Sequence, residues 1–167
     1  MRHRRRGMLV GLLGTVVGAT VMFVGATLAT SPVDTSLEVL GQGTLDAFRH
    51  RQSNFQVISR EEGDVVIAKV TIGVGGDTGW HTHPGPAFGT IAQGVVEHTI
   101  VNEDGSCRKE VHGPGEAITR SGGIVHIARN VGDSPLVIYV TFLGVPPGSG
   151  GSGTADFSPL APTGRGC

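Results

Sequence analysis

The sequence predicts an all-β protein, a sandwich or small barrel of jelly-roll type, and three observations lead to this prediction. From about residue 55 onward, nine short runs rich in β-branched residues are separated by turns of Gly, Pro, Asn or Asp. No segment between the runs carries an apolar helical period over about twelve residues. The 167 residues include 28 glycines and 9 prolines, a composition that indicates one domain with many turns.

The first 30 residues form a predicted targeting segment. Residues 2–6 read RHRRR, and residues 8–29 carry no charged side chain. This pattern predicts a hydrophobic helix ahead of the β domain, either a signal peptide cleaved after Ala29 or a membrane anchor that is retained. Because the arginines stay on the cytoplasmic side, we expect the rest of the chain to be exported, either secreted or anchored facing outward.

Two further segments flank the β domain, which we expect to span 55–145. Residues 31–54 form an N-terminal arm whose periodicity is compatible with either a short helix or an extended conformation. Residues 146–167 are rich in Gly, Pro and Ser and form a tail that adds no core. Cys107 and Cys167 are the two cysteines; they either form a disulfide in an oxidising compartment or remain two unpaired thiols.

The nine runs set the order of the expected strands. The sequence NEDG at 102–105 predicts the hairpin turn between the fifth and the sixth run. The runs read, in chain order, FQVIS, DVVIAKVTI, GWHTH, AFGTIA, VVEHTIV, RKEVH, EAIT, VHIAR and LVIYVTFL. A formal net charge of −1 and a pI near 6.6 give no electrostatic basis for binding nucleic acid.

Three histidines are the candidate metal ligands. His81 and His83 lie two residues apart, so on a strand their side chains project to the same face. Two imidazoles make a poor site for a transition metal, and a third ligand must come from another strand. His126 is the best candidate, because it follows a Gly-Gly turn early in a β-rich run.

The spacing of these histidines resembles the two signature motifs of the cupin superfamily. The first motif, G-x5-H-x-H-x3-E-x6-G, and the second, G-x5-P-x-G-x2-H-x3-N, are matched at eight of ten positions, which are Gly75, His81, His83, Gly94, Gly115, Gly123, His126 and Asn130. Ala87 stands at the Glu position and Ser121 at the Pro position. The resemblance implies a cupin β-barrel, the double-stranded β-helix or jelly roll. Within the superfamily, the sequence is similar to small exported bacterial cupins with a single domain. The resemblance also implies that two copies of the chain can pair into a homodimer.

Ala87 is the departure with the largest chemical consequence. Family members with Glu at this position bind metal through three imidazoles and a carboxylate, whereas three neutral histidines leave a divalent ion with its full charge and an open position. Iron is the first expectation for this ion, with Zn, Mn, Ni or Cu as alternatives. Another interpretation is that Ala87 marks a decayed site that holds metal weakly or only structurally.

Several other polar side chains are candidates for contact with the metal or its ligand. Strand alternation from Ala87 places Gln93 on the metal side, although a solvated rim amide is the simpler expectation. Either Glu97 or His98 points inward, depending on the register. We expect His112 and Glu116 to be exposed, Trp80 to pack in the core, and Asn130 to tie a turn, and nothing in the spacing marks Tyr139 as catalytic. The sequence identifies no catalytic residue.

The resemblance to three-histidine cupins implies a function for the metal. The leading expectation is a mononuclear metal-dependent oxidoreductase, similar to the non-haem iron dioxygenases, acting on a small organic molecule. The alternatives are a non-catalytic module that binds or senses a small ligand, and a zinc lyase or isomerase. A membrane is a further partner through residues 8–29 if the leader is not cleaved.

Overall fold

The computed structural model describes residues 30–157, 162 and 164–167. The predicted N-terminal hydrophobic helix and its cleavage site lie outside these residues. Within them the chain forms strands and a single 3-10 turn, Gly150–Gly153. The strands are β1 (Val33–Leu45), β2 (Phe48–Gln52), β3 (Phe55–Ser59), β4 (Gly63–Asp77), β5 (His81–Thr82), β6 (Ala87–Gln93), β7 (Val96–Val101), β8 (Cys107–His112), β9 (Ala117–Arg120), β10 (His126–Asn130), β11 (Leu136–Val145) and β12 (Asp156–Phe157).

Ten of the strands form one antiparallel sheet that curves into a nearly closed barrel. Its main path runs β12-β5-β10-β4-β11-β6-β9, while β7 pairs with both β10 and β8. The long strand β4 also pairs with β1, and β2 and β3 form a separate hairpin. This arrangement confirms the predicted all-β jelly roll of cupin type, and each of the nine predicted runs overlaps one strand from β3 to β11.

The barrel core follows the alternation of side chains along the strands. On β4, Val66 and Ala68 are fully buried, whereas Ile67 between them is 46% exposed. Inward-facing residues of β6 and β11 pack against them to form one apolar cluster. Its members are Val66, Ala68, Ile72, Ala87, Ile91, Val96, Ala128, Leu136, Ile138, Val140, Phe142 and Val145.

The arm and the tail are both attached to this barrel. The arm is extended: β1 pairs with β4 along its length, from Val33 opposite Asp77 to Leu45 opposite Gly63. In the tail, β12 pairs with β5, so that residue 157 lies opposite His81. A disulfide joins Cys107 to Cys167. In the part of the chain that the structure describes, no helix has the length and apolar character needed to cross a membrane.

Candidate metal centre

The three predicted histidines converge inside the barrel. His81 on β5 is the direct cross-strand partner of His126 on β10, and His83 follows at the end of β5. One ring nitrogen from each of the three lies within 4.8 Å of the others. The ring centroids are 4.3 Å apart for His81 and His126, 4.8 Å for His81 and His83, and 5.0 Å for His83 and His126. This group can hold a divalent metal ion.

Backbone contacts join the two segments that carry the histidines. The N–H of Gly123 donates to the carbonyl oxygen of His83 over 2.9 Å, which ties the loop before β10 to the end of β5. Gly123 has φ +76°, in the left-handed region where a glycine carries little strain. The Gly-Gly turn therefore brings His126 back beside the HTH segment.

Each of the three imidazoles is oriented by a backbone carbonyl. The Nδ1 atoms of His81, His83 and His126 lie 3.0, 2.6 and 3.0 Å from the carbonyl oxygens of Gly79, Thr154 and Ile124. A carbonyl oxygen only accepts, so these contacts place the ring proton on Nδ1 and make Nε2 the nitrogen with the lone pair. Metal-binding histidines are held in this way in many proteins. The donor set therefore fits a transition metal.

The interior keeps the imidazoles in their neutral, ligating form. Burial first, and the neighbouring His83 second, lower the pKa of His81 to about 4. Burial, followed by the proximity of His81, also holds the pKa of His126 well below its ordinary value. Near pH 7 these rings carry no proton that a metal ion would have to displace.

A cavity of about 70 Å³ adjoins the three histidines. Ala87 lines it with its methyl group at the position where family members carry Glu, and Gly89 from the same strand lines it as well. Among the described residues that line this cavity there is no Asp or Glu. The candidate metal centre is thus a three-histidine group with small neighbours, and no carboxylate of the described residues takes the place of the missing Glu.

The register resolves which residue of β7 faces the interior. His98 is 3% exposed and lines the cavity, with its ring centroid 6.1 Å from that of His126. Glu97 points outward, and its carboxylate pairs with Lys109 at 3.0 Å. Glu97 is therefore not a substitute ligand, whereas His98 belongs to the wall of the site.

The remaining candidates lie away from the metal centre. Gln93 is exposed at the end of β6, where the pairing with β11 shifts register, so it is a solvated rim amide and alternation does not bring it to the metal side. Tyr139 is 47% exposed. The Glu116 carboxylate accepts a hydrogen bond from the N–H of Gly113 at the surface. His112 is half-buried, with Nε2 3.7 Å from a Glu110 carboxylate oxygen.

Two expectations about supporting residues agree with the structure. Trp80 is 4% exposed and packs away from the cavity beside the histidines. The Asn130 amide donates to the carbonyls of Ile72, Gly73 and Ser134, while its oxygen accepts from the N–H of Gly132. Asn130 thus ties the turn after β10 to β4, which fixes the far end of the strand that begins with His126.

Arg120 is a cavity residue that the sequence analysis did not single out. It is 8% exposed at the end of β9 and lines the cavity together with Ile118, two residues earlier on the same face. Its Nη2 donates to Glu110 over 2.9 Å and its Nη1 to the carbonyl of Thr119 over 2.6 Å. Alternation from Ile118 is the sequence signal for this orientation, but arginine is rarely buried.

Comparison with known proteins gives the family. Residues 68–142 match the model described as "Cupin domain". The matched segment contains His81, His83 and His126, and it is a cupin domain.

Relatives of known name match only part of the chain. The auxin-binding proteins ABP19b and ABP20 of Prunus persica are 28% and 29% identical over 85 residues, which is 50% of this chain. The match covers 41% and 40% of those proteins, so the chain spans less than half the length of these curated relatives. Among solved structures, an oxalate oxidase has a TM-score of 0.44 at 24% identity, covering 48% of this chain and 41% of that one. Bacillus subtilis oxalate decarboxylase has a TM-score of 0.45 at 26% identity, with 47% and 21% covered.

Proposed function

We propose that this protein binds one divalent transition metal through His81, His83 and His126 and is a mononuclear metal-dependent oxidoreductase of the dioxygenase type. The observation that carries the proposal is the set of three buried imidazoles with each Nδ1 held by a backbone carbonyl. A histidine buried only for packing does not require two such neighbours at ligand distance. Iron is the first candidate metal, and Zn, Mn, Ni and Cu suit the same nitrogen donors.

The chemistry of the site follows from the missing carboxylate. His81, His83 and His126 would hold a divalent ion without cancelling its charge, and the ion would supply Lewis-acid chemistry towards a chelating organic substrate, to which iron would add one-electron chemistry with oxygen. The chain's own residues supply the rest. His81 and His126 remain neutral, small side chains at 87 and 89 leave room for a small substrate, and the apolar wall restricts water.

A second candidate function is a module that binds a small ligand without transforming it. Two observations favour it: the curated relatives are named as auxin-binding proteins, and the cavity offers no acidic group for proton transfer among its described lining residues. Oxygen consumption by the iron-loaded protein in the presence of small organic substrates separates the two functions. A module that only binds consumes no oxygen and retains its ligand after the metal is removed.

We also propose that the protein acts outside the cytoplasm. The basic, then apolar, N-terminal sequence supports export, and the disulfide between Cys107 and Cys167 is compatible with an oxidising compartment. Fractionation of cells that produce the full chain, followed by N-terminal sequencing, distinguishes a secreted from an anchored form.

The metal assignment is tested by elemental analysis of the purified protein and two variants. His126→Ala should lose most of the bound metal, because two imidazoles alone form a weak site. His50→Ala is the matched control, since His50 is an exposed histidine on β2, and it should retain metal at the wild-type level. Equal metal content in all three proteins would refute the ligand set.

A further inference from the structure

Two basic side chains line the cavity beside the three histidines. His98 and Arg120 are 3% and 8% exposed, and neither belongs to the metal-binding group. Arg120 also lines an open surface groove together with Arg108, Glu103 and Asp104, so its side chain stands between the groove and the cavity.

Each of these side chains has a buried nitrogen whose hydrogen-bonding capacity is unused within the described residues. These atoms are Nδ1 of His98 and Nε of Arg120. The other two nitrogens of the Arg120 guanidinium are bonded to Thr119 and Glu110, so only Nε lacks an acceptor. A buried donor without an acceptor costs about 1–3 kcal/mol, and more for a charged group. The cost is recovered when a ligand supplies the acceptor.

The charge around the cavity favours an anion. Glu110 pairs with Arg120 at 2.9 Å and with Arg108 at 3.2 Å, so one carboxylate serves two guanidinium groups. Both arginines therefore hold the pKa of Glu110 below its ordinary value, although burial alone would raise it. The cavity itself is lined by no acidic residue in the described part of the chain. Arg120 is the charged residue among those that line the cavity, and its positive charge favours an anion there.

The volume limits the size of this ligand. A cavity of about 70 Å³ accommodates roughly five water-sized groups, at about 10–15 Å³ each. The remaining wall is formed largely by aliphatic side chains and Phe142, which favour a ligand that also has an apolar part. A small organic acid combines a carboxylate with a short apolar part and fits both constraints.

We propose that the cavity binds a small carboxylate whose oxygens accept hydrogen bonds from Arg120 and His98. This inference rests on the proposed function and specifies its substrate class: a free carboxylic acid with only a few non-hydrogen atoms. Arg120 is the specificity-determining residue, because it supplies the positive charge and separates the groove from the cavity. Charged hydrogen bonds of this kind are about twice as strong as neutral ones, so an uncharged isostere should bind more weakly.

The test uses acetate and acetamide as probes of equal size. Binding to the full chain is measured by saturation-transfer NMR, once on zinc-loaded protein and once on protein stripped with a chelator, and metal content is determined separately. We expect acetate to bind about tenfold or more tightly than acetamide in both forms, with the metal adding affinity. Arg120→Gln should weaken acetate binding about tenfold. Arg108→Gln is the control, since it removes the other guanidinium bound to Glu110, and it should change acetate binding by less than about twofold.

The outcomes separate this inference from the metal assignment. Equal binding of acetate and acetamide, or acetate binding unaffected by Arg120→Gln, overturns the carboxylate site even when the zinc content is normal. Acetate binding that depends on Arg120, in a protein that retains no zinc after loading, supports the carboxylate site and contradicts the proposed metal centre. If Arg120→Gln does not fold, the comparison of acetate with acetamide on the wild-type protein still decides the result.

Discussion

Ala87 is the residue that sets the chemistry of this centre apart from that of cupins with four protein ligands. It is 5% exposed on β6 and lines the same cavity as the three histidines. A methyl group there supplies neither a ligand atom nor a negative charge. The space that a glutamate would fill is left as part of the cavity, so the same substitution removes a metal ligand and creates room for an organic molecule.

Restoring the carboxylate should strengthen metal binding and close the cavity. We expect Ala87→Glu to retain metal against a chelator about tenfold better, the scale on which groups near a metal alter its affinity. Ala87→Gln is the control of equal size without the charge and should give a smaller gain. Both variants should lose acetate binding. Competition with a chelator measures the metal affinity, and identical results for Glu and Gln would contradict a role for the charge.

Single residues also show where reasoning from the sequence stops. His81, His83 and His126 were predictable because their spacing fits a strand and two motifs. The choice between Glu97 and His98 was not predictable, because it depends on the pairing of β7 with β8 and β10 rather than on local sequence. Arg120 was missed since a charged residue is expected at the surface, and its burial depends on Glu110 from a neighbouring strand.

At the level of elements, the strands of the barrel were predictable and the attachment of its two flanking segments was not. Alternating apolar residues and turn glycines define β3 to β11. One such glycine, Gly94, has φ +79°, and an added Cβ would lie 2.7 Å from the Cα of Leu136. By contrast, β1 is exposed along nearly its whole length, so it carries no alternation from which a strand could be inferred.

The disulfide is the element-level feature with the largest expected effect on stability. It closes a loop of 60 residues between β8 and the C-terminal segment. In the chain-entropy model this closure stabilises the folded state by about 4 kcal/mol. Cys107→Ser combined with Cys167→Ser should lower the free energy of unfolding by up to that amount, measured by urea denaturation.

Two comparisons check this assignment. A reducing agent should destabilise the wild-type protein to a similar extent and leave the double variant unchanged. The two single variants should resemble the double variant. A wild-type protein whose unfolding does not respond to reduction would show that the cross-link contributes no stability in solution.

For the molecule as a whole, the buried histidines predict a loss of stability in acid. Burial lowers the pKa of His98 to about 3, an effect increased by Arg120, and the pKa of His81 is lowered to about 4. The unfolded chain takes up protons near pH 6.5, before the folded protein does, so stability is fully present above that pH. The stabilisation contributed by neutral His81 is lost as the pH falls from 6.5 towards 4. That contributed by neutral His98 is lost as the pH falls from 6.5 towards 3.

The magnitude of this loss can be measured on metal-free protein. Below pH 6.5, each of the two histidines lowers the free energy of unfolding by about 1.4 kcal/mol per pH unit. Going from pH 7 to pH 5 should therefore lower the free energy of unfolding by roughly 4 kcal/mol. In urea unfolding across this range, the free energy of unfolding should depend less steeply on pH in His98→Gln than in the wild type. The difference in slope should correspond to about one proton taken up on unfolding. The exposed His50→Gln variant is the control. An unchanged slope in His98→Gln would indicate that His98 is protonated in the folded state.

The contact between His83 and Thr154 has a consequence for how the protein matures. The carbonyl that orients His83 lies 71 residues further along the chain. During synthesis, His83 joins the chain 71 residues before that carbonyl exists, so its ring has no fixed direction at that stage. Loading with metal is therefore expected to be a late event that follows completion of the barrel.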